Sequence, residues 1–406
     1  MALVCPAARA VSPEFTSIPA LNFSATVAGA APLSQVITAN STGASIFFTA
    51  VASTNAGGSW LTINPSNYGY GVYTPYGITV QVNPAVTLTA GTYTGQIVLS
   101  ATGVTPLEIP VTLVMHAPSE TYFDQIAGGL TFSLATGGNT PPSQPLQVRN
   151  AGASSLAWTA TTSTADGGSW LNLSSSSGTA PSNLSVGITV ANLPGGGTTT
   201  GTYTGQVLFT SSGDTESVPI TVNVGSDVIA QVNPLNFNKT FAGPEPLAQQ
   251  ITISSTTSGV QFVASVQSST GVTYTGTNNQ TVVPWLIITP SNYGYYVPTP
   301  FNITVSVNPA VTLSPGTYMA EIIVTQTNGD SATTANGTQT LSVPVSLTVY
   351  PAATSYFDNV AGALNFSMGT GAEAVGPPSQ DLQIRDAIPA DTINWTVTLT
   401  TADGGN

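Results

Sequence analysis

The chain has 406 residues, of which only 5% are charged, and 17 carboxylates against four basic residues (Arg9, Arg149, Lys239, Arg385) leave a net charge of -13. A surface that grips phosphates needs clustered lysine and arginine, so nucleic-acid binding is excluded, and no apolar run approaches the ~20 residues of a membrane-spanning helix. One cysteine (Cys5) rules out an internal disulfide, and one histidine (His116) rules out any metal site needing two imidazoles from one chain.

Residues 1–16 differ from the rest of the chain. Ala8-Arg9-Ala10 fits a small-x-small cleavage pattern, but there is no basic start and the apolar stretch is short for a secretory signal. These residues read as a flexible leader.

From residue 17 the sequence repeats, and the repeats decide the architecture. Gly58-Ser59-Trp60-Leu61 returns as Gly168-Ser169-Trp170-Leu171, and Gly91-Thr92-Tyr93-Thr94-Gly95-Gln96 as Gly201-Thr202-Tyr203-Thr204-Gly205-Gln206. A longer period overlies this one. The run from Trp60 through Pro65-Ser66-Asn67-Tyr68 returns from Trp285 through Pro290-Ser291-Asn292-Tyr293, and Tyr122-Phe123-Asp124 returns as Tyr356-Phe357-Asp358. Two kinds of unit therefore alternate as A, B, A, B. The first A unit spans residues 17–117, the first B unit 121–225, the second A unit 231–350, and the front half of a second B unit 355–406.

Within each unit the apolar residues alternate with polar ones, as in Ile78-Thr79-Val80-Gln81-Val82 and Val343-Pro344-Val345-Ser346-Leu347. That is the period of half-buried strands. Gly, Pro, Asn and Ser break the strands at short intervals. Seven or so strands per unit predict tandem immunoglobulin-like β-sandwiches, an all-β fold. Gly271 to Thr281 and Asn328 to Thr338 are additions in the second A unit and read as lengthened loops. Linkers are expected near Met115–Thr121, Gly225–Asn233 and Tyr350–Ser355, with His116 solvated in the first. The last unit stops where its counterpart continues with Trp170, so its core face needs cover from further chain or from a neighbour's strand.

At Trp60-Leu61, Gly91-Thr92-Tyr93-Thr94-Gly95 and Ile109-Pro110-Val111-Thr112-Leu113-Val114, the units resemble BACON-type and related Ig-like repeats of large bacterial surface and secreted proteins. The resemblance implies an extracellular all-β module, with either a carbohydrate-binding or a spacer role.

Four aromatic side chains crowd each A unit: Tyr68, Tyr70, Tyr73 and Tyr76, then Tyr293, Tyr295, Tyr296 and Phe301. Tyrosine rings can stack on sugar faces while the hydroxyl bonds. Three readings stay open: packing on a neighbouring unit, sugar stacking, or contact with another chain. Asp124, Asp166, Asp358 and Asp403 are carboxylates at repeated positions. They are weak calcium candidates, since no Asp-x-Asp-x-Asp loop accompanies them, and Asp before Gly-Gly is more simply a turn residue. Trp60, Trp170 and Trp285, with Trp158 and Trp395 at a position peculiar to B units, are expected in the core.

The acids are too dispersed for a glycosidase pair and nothing calls for a cofactor, so the chain is expected not to be an enzyme. The expected role is structural and adhesive, at a bacterial cell surface or outside the cell, as a stalk, matrix component or filament subunit. Copies of the chain, other surface proteins or polysaccharide are its expected partners. A carbohydrate-binding region is the alternative.

Overall fold

Alternation of apolar and polar residues yields strands throughout. A computed structural model describes residues 13–29, 31–64, 71–83, 85–124, 126–152, 154–257, 259–268, 285–290, 296–326, 339–352, 354–357, 379–388 and 392–397.

Unit one comprises β1 (Leu21–Thr26), β2 (Gln35–Ala39), β3 (Phe47–Thr54), β4 (Leu61–Asn64), β5 (Val72–Tyr73), β6 (Tyr76–Val82), β7 (Gly91–Ala101) and β8 (Val104–His116). One sheet runs β1-β8-β7-β3-β5 and the other β2-β6-β4. Unit two comprises β9 (Leu130–Leu134), β10 (Gln144–Val148), β11 (Leu156–Thr164), β12 (Leu171–Leu173), β13 (Ser177–Ala180), β14 (Ser182–Ile188), β15 (Gly201–Ser211) and β16 (Asp214–Val224). Its sheets run β13-β11-β15-β16-β9 and β10-β14-β12. Unit three comprises β17 (Leu235–Thr240), β18 (Gln249–Ile253), β19 (Gln261–Ser268), β20 (Leu286–Thr289), β21 (Val297–Pro298), β22 (Phe301–Val307), β23 (Gly316–Gln326) and β24 (Thr340–Tyr350). Its sheets run β17-β24-β23-β19-β21 and β18-β22-β20. In each unit the first strand pairs parallel to the last, whereas the closing hairpin is antiparallel.

The repeated motifs have clear structural duties. Trp60, Trp170 and Trp285 are fully buried, each in the core of its own sandwich. Trp158 is also buried, edge-on to Phe209 at 5.5 Å. The tyrosine of Gly-Thr-Tyr pins the loop ahead of the closing hairpin. Tyr93, Tyr203 and Tyr318 each donate the hydroxyl to a carbonyl four residues earlier, at Thr89, Thr199 and Ser314, over 3.0, 2.8 and 2.8 Å.

Two sequence expectations meet a different picture. His116 is not a solvated linker residue. It ends β8, is buried, and stacks on Tyr122 at 4.2 Å. Trp395, expected in a core, is 54% exposed, with Leu382 and Val397 exposed as well. The ring that covers Trp158 in unit two is Phe209 on β15. The described residues of unit four form only an isolated bridge, Phe357 to Asp386. The two expected loop additions, Gly271 to Thr281 and Asn328 to Thr338, lie outside the described residues.

Candidate functional site

The sandwiches do not hang as separate beads. The outer face of β16 is buried, because β1 and β2 of unit one lie against it. The residues there are polar, and they pair across the boundary. The backbone N–H of Asn22 donates to Ser217 Oγ at 2.8 Å, and Ser24 Oγ donates to Asp214 Oδ1 at 2.6 Å. Gln35 Nε2 donates to Glu216 Oε1 at 3.2 Å, and Gln206 Nε2 to the Ala20 carbonyl at 2.9 Å. Buried polar groups are tolerable only when bonded, so this face specifies one docking register. Burial, reinforced by Asp214 beside it, pushes the Glu216 carboxyl well above its ordinary range.

His116 belongs to this joint. Its Nδ1 lies 3.0 Å from Glu120, and its Nε2 lies 3.7 Å from Asp214. Tyr122, beneath the imidazole, bonds Thr26 of unit one over 2.5 Å between the two hydroxyl oxygens. Its burial lifts the phenol to about 12.

Units two and three meet by a homologous contact, with unit one joining them. Gly128 is the pivot. Its N–H donates to Glu321 Oε1 at 2.7 Å, and its carbonyl accepts from the Val36 N–H at 3.0 Å. Thr131 Oγ1 donates to the Thr340 carbonyl at 3.2 Å, and an Arg149 N–H to the Thr317 carbonyl at 3.3 Å. Glu321 is completely buried, and desolvation lifts its carboxyl from the ordinary 4.5 to about 8. Ser34 of unit one also reaches Gln267 of unit three by hydrogen bond.

The aromatic candidates divide. Tyr68, Tyr70, Tyr293 and Tyr295 lie outside the described residues. Tyr73 is 49% exposed and sits opposite Phe47, with ring centroids 4.9 Å apart. Phe47 is 52% exposed and Val51, further along the same face of β3, is exposed too. The sequence reading missed Phe47, although its doublet with Phe48 on a strand demands that one ring face outward. The pair is not repeated, because Gln261 and Pro298 oppose each other at the matching place in unit three. Tyr76 is half-buried near Tyr296, and its phenol is raised by burial first and by Tyr296 second. Tyr296 itself is exposed, and Phe301 is half-buried, edge-on to Phe262 at 6.2 Å.

The aspartates have local partners. Asp166 Oδ1 accepts from the Gly168 N–H at 2.9 Å and from Trp170 Nε1 at 3.1 Å. It caps the turn that presents the core tryptophan. Removing it, as in Asp166→Ala, is expected to cost about 1–2 kcal/mol in chemical denaturation. Asp124 is raised by burial, with Arg149 pulling the other way. Asp358 and Asp403 lie outside the described residues. Among the described residues, no three His, Cys, Asp or Glu side chains gather as a metal would require, and no helix is long and apolar enough to cross a membrane.

Residues 118–223 match the family model of the viral BACON domain. No curated protein matches. Among solved structures, the chain is similar to Drosophila N-cadherin EC1-3, at 12% identity and a TM-score of 0.21, covering 83% of this chain and 100% of that one. It is also similar to a 3Ig structure of titin domains, at 12% identity and a TM-score of 0.17, covering 84% and 99%. Human CDH23 EC21-23 stands at 13% identity and a TM-score of 0.18, covering 83% and 100%. The chain is thus a tandem array of Ig-like β-sandwiches whose second unit, over residues 118–223, matches the viral BACON domain family.

Proposed function

We propose that the chain is an extracellular structural and adhesive repeat protein, which works by holding surfaces at fixed spacing and not by catalysis. The observation that carries this reading is the pair of buried, hydrogen-bonded joints at Asn22–Ser217 and Gly128–Glu321. Such joints turn three sandwiches into one stiff body. The carboxylates Glu216 and Glu321 are buried within these joints, where they hold hydrogen bonds between units. Residues 118–223 match a family described as viral, which makes virus particles a surface to test beside bacterial cells. Immunogold labelling of intact particles or cells is the test. Decoration of the outer surface is expected, and label reached only after lysis would sink the reading.

The second reading, carbohydrate contact, has one specific observation in its favour: the exposed Phe47–Tyr73 ring pair. Stacking of a sugar on one such pair contributes little alone, so weak binding is expected. The double change Phe47→Ser and Tyr73→Ser is expected to reduce retention on immobilised polysaccharide ~10-fold or more, with melting unchanged, since both rings are half in solvent. Equal retention of both proteins would dismiss this surface.

A further inference from the structure

Two of the linkers open on the same contact, built with different rings. His116 ends β8 opposite Thr26 and stacks on Tyr122 at 4.2 Å. Tyr350 ends β24 opposite Thr240 and stacks on Tyr356 at 4.9 Å. A phenol therefore meets the packing demand of this place. It stays neutral near pH 7, and burial holds the Tyr350 phenol above its ordinary value. An imidazole adds what the stack does not need, a nitrogen of the kind that takes up a proton between about pH 5 and 8.

The surroundings of that nitrogen favour the proton. Glu120 Oε2 accepts from the Ala117 N–H at 3.2 Å and lies 3.0 Å from His116 Nδ1. A carboxylate oxygen only accepts, so Nδ1 carries the hydrogen in the neutral ring. Nε2 is then a bare lone pair. It is buried with no hydrogen-bond partner, and it faces Asp214 Oδ1 at 3.7 Å. A lone pair and a carboxylate repel, whereas an N–H at the same place attracts.

Asp214 is itself a clasp of the joint. Its Oδ1 accepts from Ser24 Oγ on β1 at 2.6 Å, and its Oδ2 from the Phe123 N–H at 2.8 Å. Around the stacked rings stand Glu120 from the turn after β8, Asp124 from the entry to unit two, and Asp214 and Glu216 from β16. β1 contributes the hydroxyls of Ser24 and Thr26. The cation set among these acids is Arg149, and it acts on Asp124. Asp214 is 2% exposed in its side chain, against 55% for Glu120, so the contact at Nε2 is the less screened of the two.

We propose that His116 is a proton-operated lock between units one and two: protonated at Nε2, it ties the end of β8 to Asp214 and closes the joint, and the joint loosens as that proton leaves. An imidazolium meets Asp214 in the closed joint and loses it in the open one. Closure held in this way is complete in acid and is lost as pH rises through the range in which imidazoles titrate. The lock adds regulation to a joint on which the structural reading above rests, and the two fail separately: surface labelling can succeed while the joint ignores pH.

The test compares the 406-residue chain with His116→Tyr, which installs the ring of the later contact, and with His116→Gln, which is uncharged and smaller. Joint closure is read by hydrogen exchange at the Asn22 and Phe123 amides, which donate to Ser217 and Asp214, corrected for the intrinsic effect of pH on exchange. From about pH 5 to 8, protection is expected to fall ~10-fold further in the unaltered chain than in the variants, the worth of one charge-assisted contact. Glu216, Asp124 and Glu321 are present in all three proteins, so the difference isolates the imidazole. If the larger ring of His116→Tyr strains the stack, seen as lost protection in β7 and β15, His116→Gln decides. His116 is the sole histidine, so its ring nitrogens give unambiguous NMR signals. These are expected to show hydrogen on Nδ1 alone at alkaline pH and on both nitrogens in acid. An equal fall in protection with and without the imidazole would overturn the proposal, and so would a hydrogen on Nε2 at alkaline pH.

Discussion

Replacing Gly128 with valine is expected to part the three sandwiches without unfolding any of them. A Cβ built at this position falls 1.5 Å from the Ser34 carbonyl oxygen and 3.2 Å from Glu321 Oε1. The first obstacle is backbone, which cannot swing aside as a side chain can. Overpacking in a tight site costs ~1–3 kcal/mol even when neighbours adjust, and here adjustment means moving unit one away from unit two. Gly128 lies outside the three cores, whose tryptophans and aliphatics stay packed. The measurement is small-angle scattering with circular dichroism. The radius of gyration is expected to rise while the strand signal holds. An unchanged radius would mean that the joints do not depend on the close approach at this glycine.

The second large effect is a dependence on pH set by Glu321. Its carboxyl is raised to about 8 in the folded chain from an ordinary 4.5. The folded state thus holds a proton that the unfolded state releases between those values. The stabilisation is complete below about 4.5, declines as pH rises, and is gone once pH passes about 8. For a fully buried group the span is on the order of a few kcal/mol. Glu321→Gln is expected to flatten this slope and to raise the melting temperature most at pH 8 and above. Gln96 and Gln206 already fill the same repeat position in the other units, and an amide oxygen can accept the Gly128 N–H without charge. Equal slopes for the two proteins between pH 5 and 8 would refute the assignment.

The strands, the alternation of units and the core tryptophans were all legible in the sequence, because each is written in local spacing. Trp60 and Leu61 recur at fixed places, and Ile78-Thr79-Val80 shows which side chains turn inward. The joints were not legible. Ser217, Thr221 and Asn223 alternate with the core residues of β16 and look like any solvent-facing series. Only a second sandwich, contributed by residues near Asn22 and Gln35, makes them buried. The same holds for His116, whose setting in Met-His-Ala-Pro suggested a linker while Tyr122 and Asp214 enclose it. Among the candidate sites, the turn role of Asp166 could be read from Asp-Gly-Gly. The pairing of Phe47 with Tyr73 could not, because it depends on the register of β3 with β5.

The parallel pairing of first and last strand bears on mechanical load. Because both strands run the same way, the chain enters each sandwich at one end and leaves it at the other. Tension along the chain therefore pulls the two strands past each other lengthwise. In unit one that load falls on six paired positions, Leu21 to Thr26 against Val111 to His116, and in unit three on six more, Leu235 to Thr240 against Val345 to Tyr350. Bonds stretched in this direction share the force and must give way together, whereas a hairpin peeled from its tip yields one bond at a time. Each sandwich is clasped across its line of pull, a geometry that lets the array transmit force before any of its cores opens.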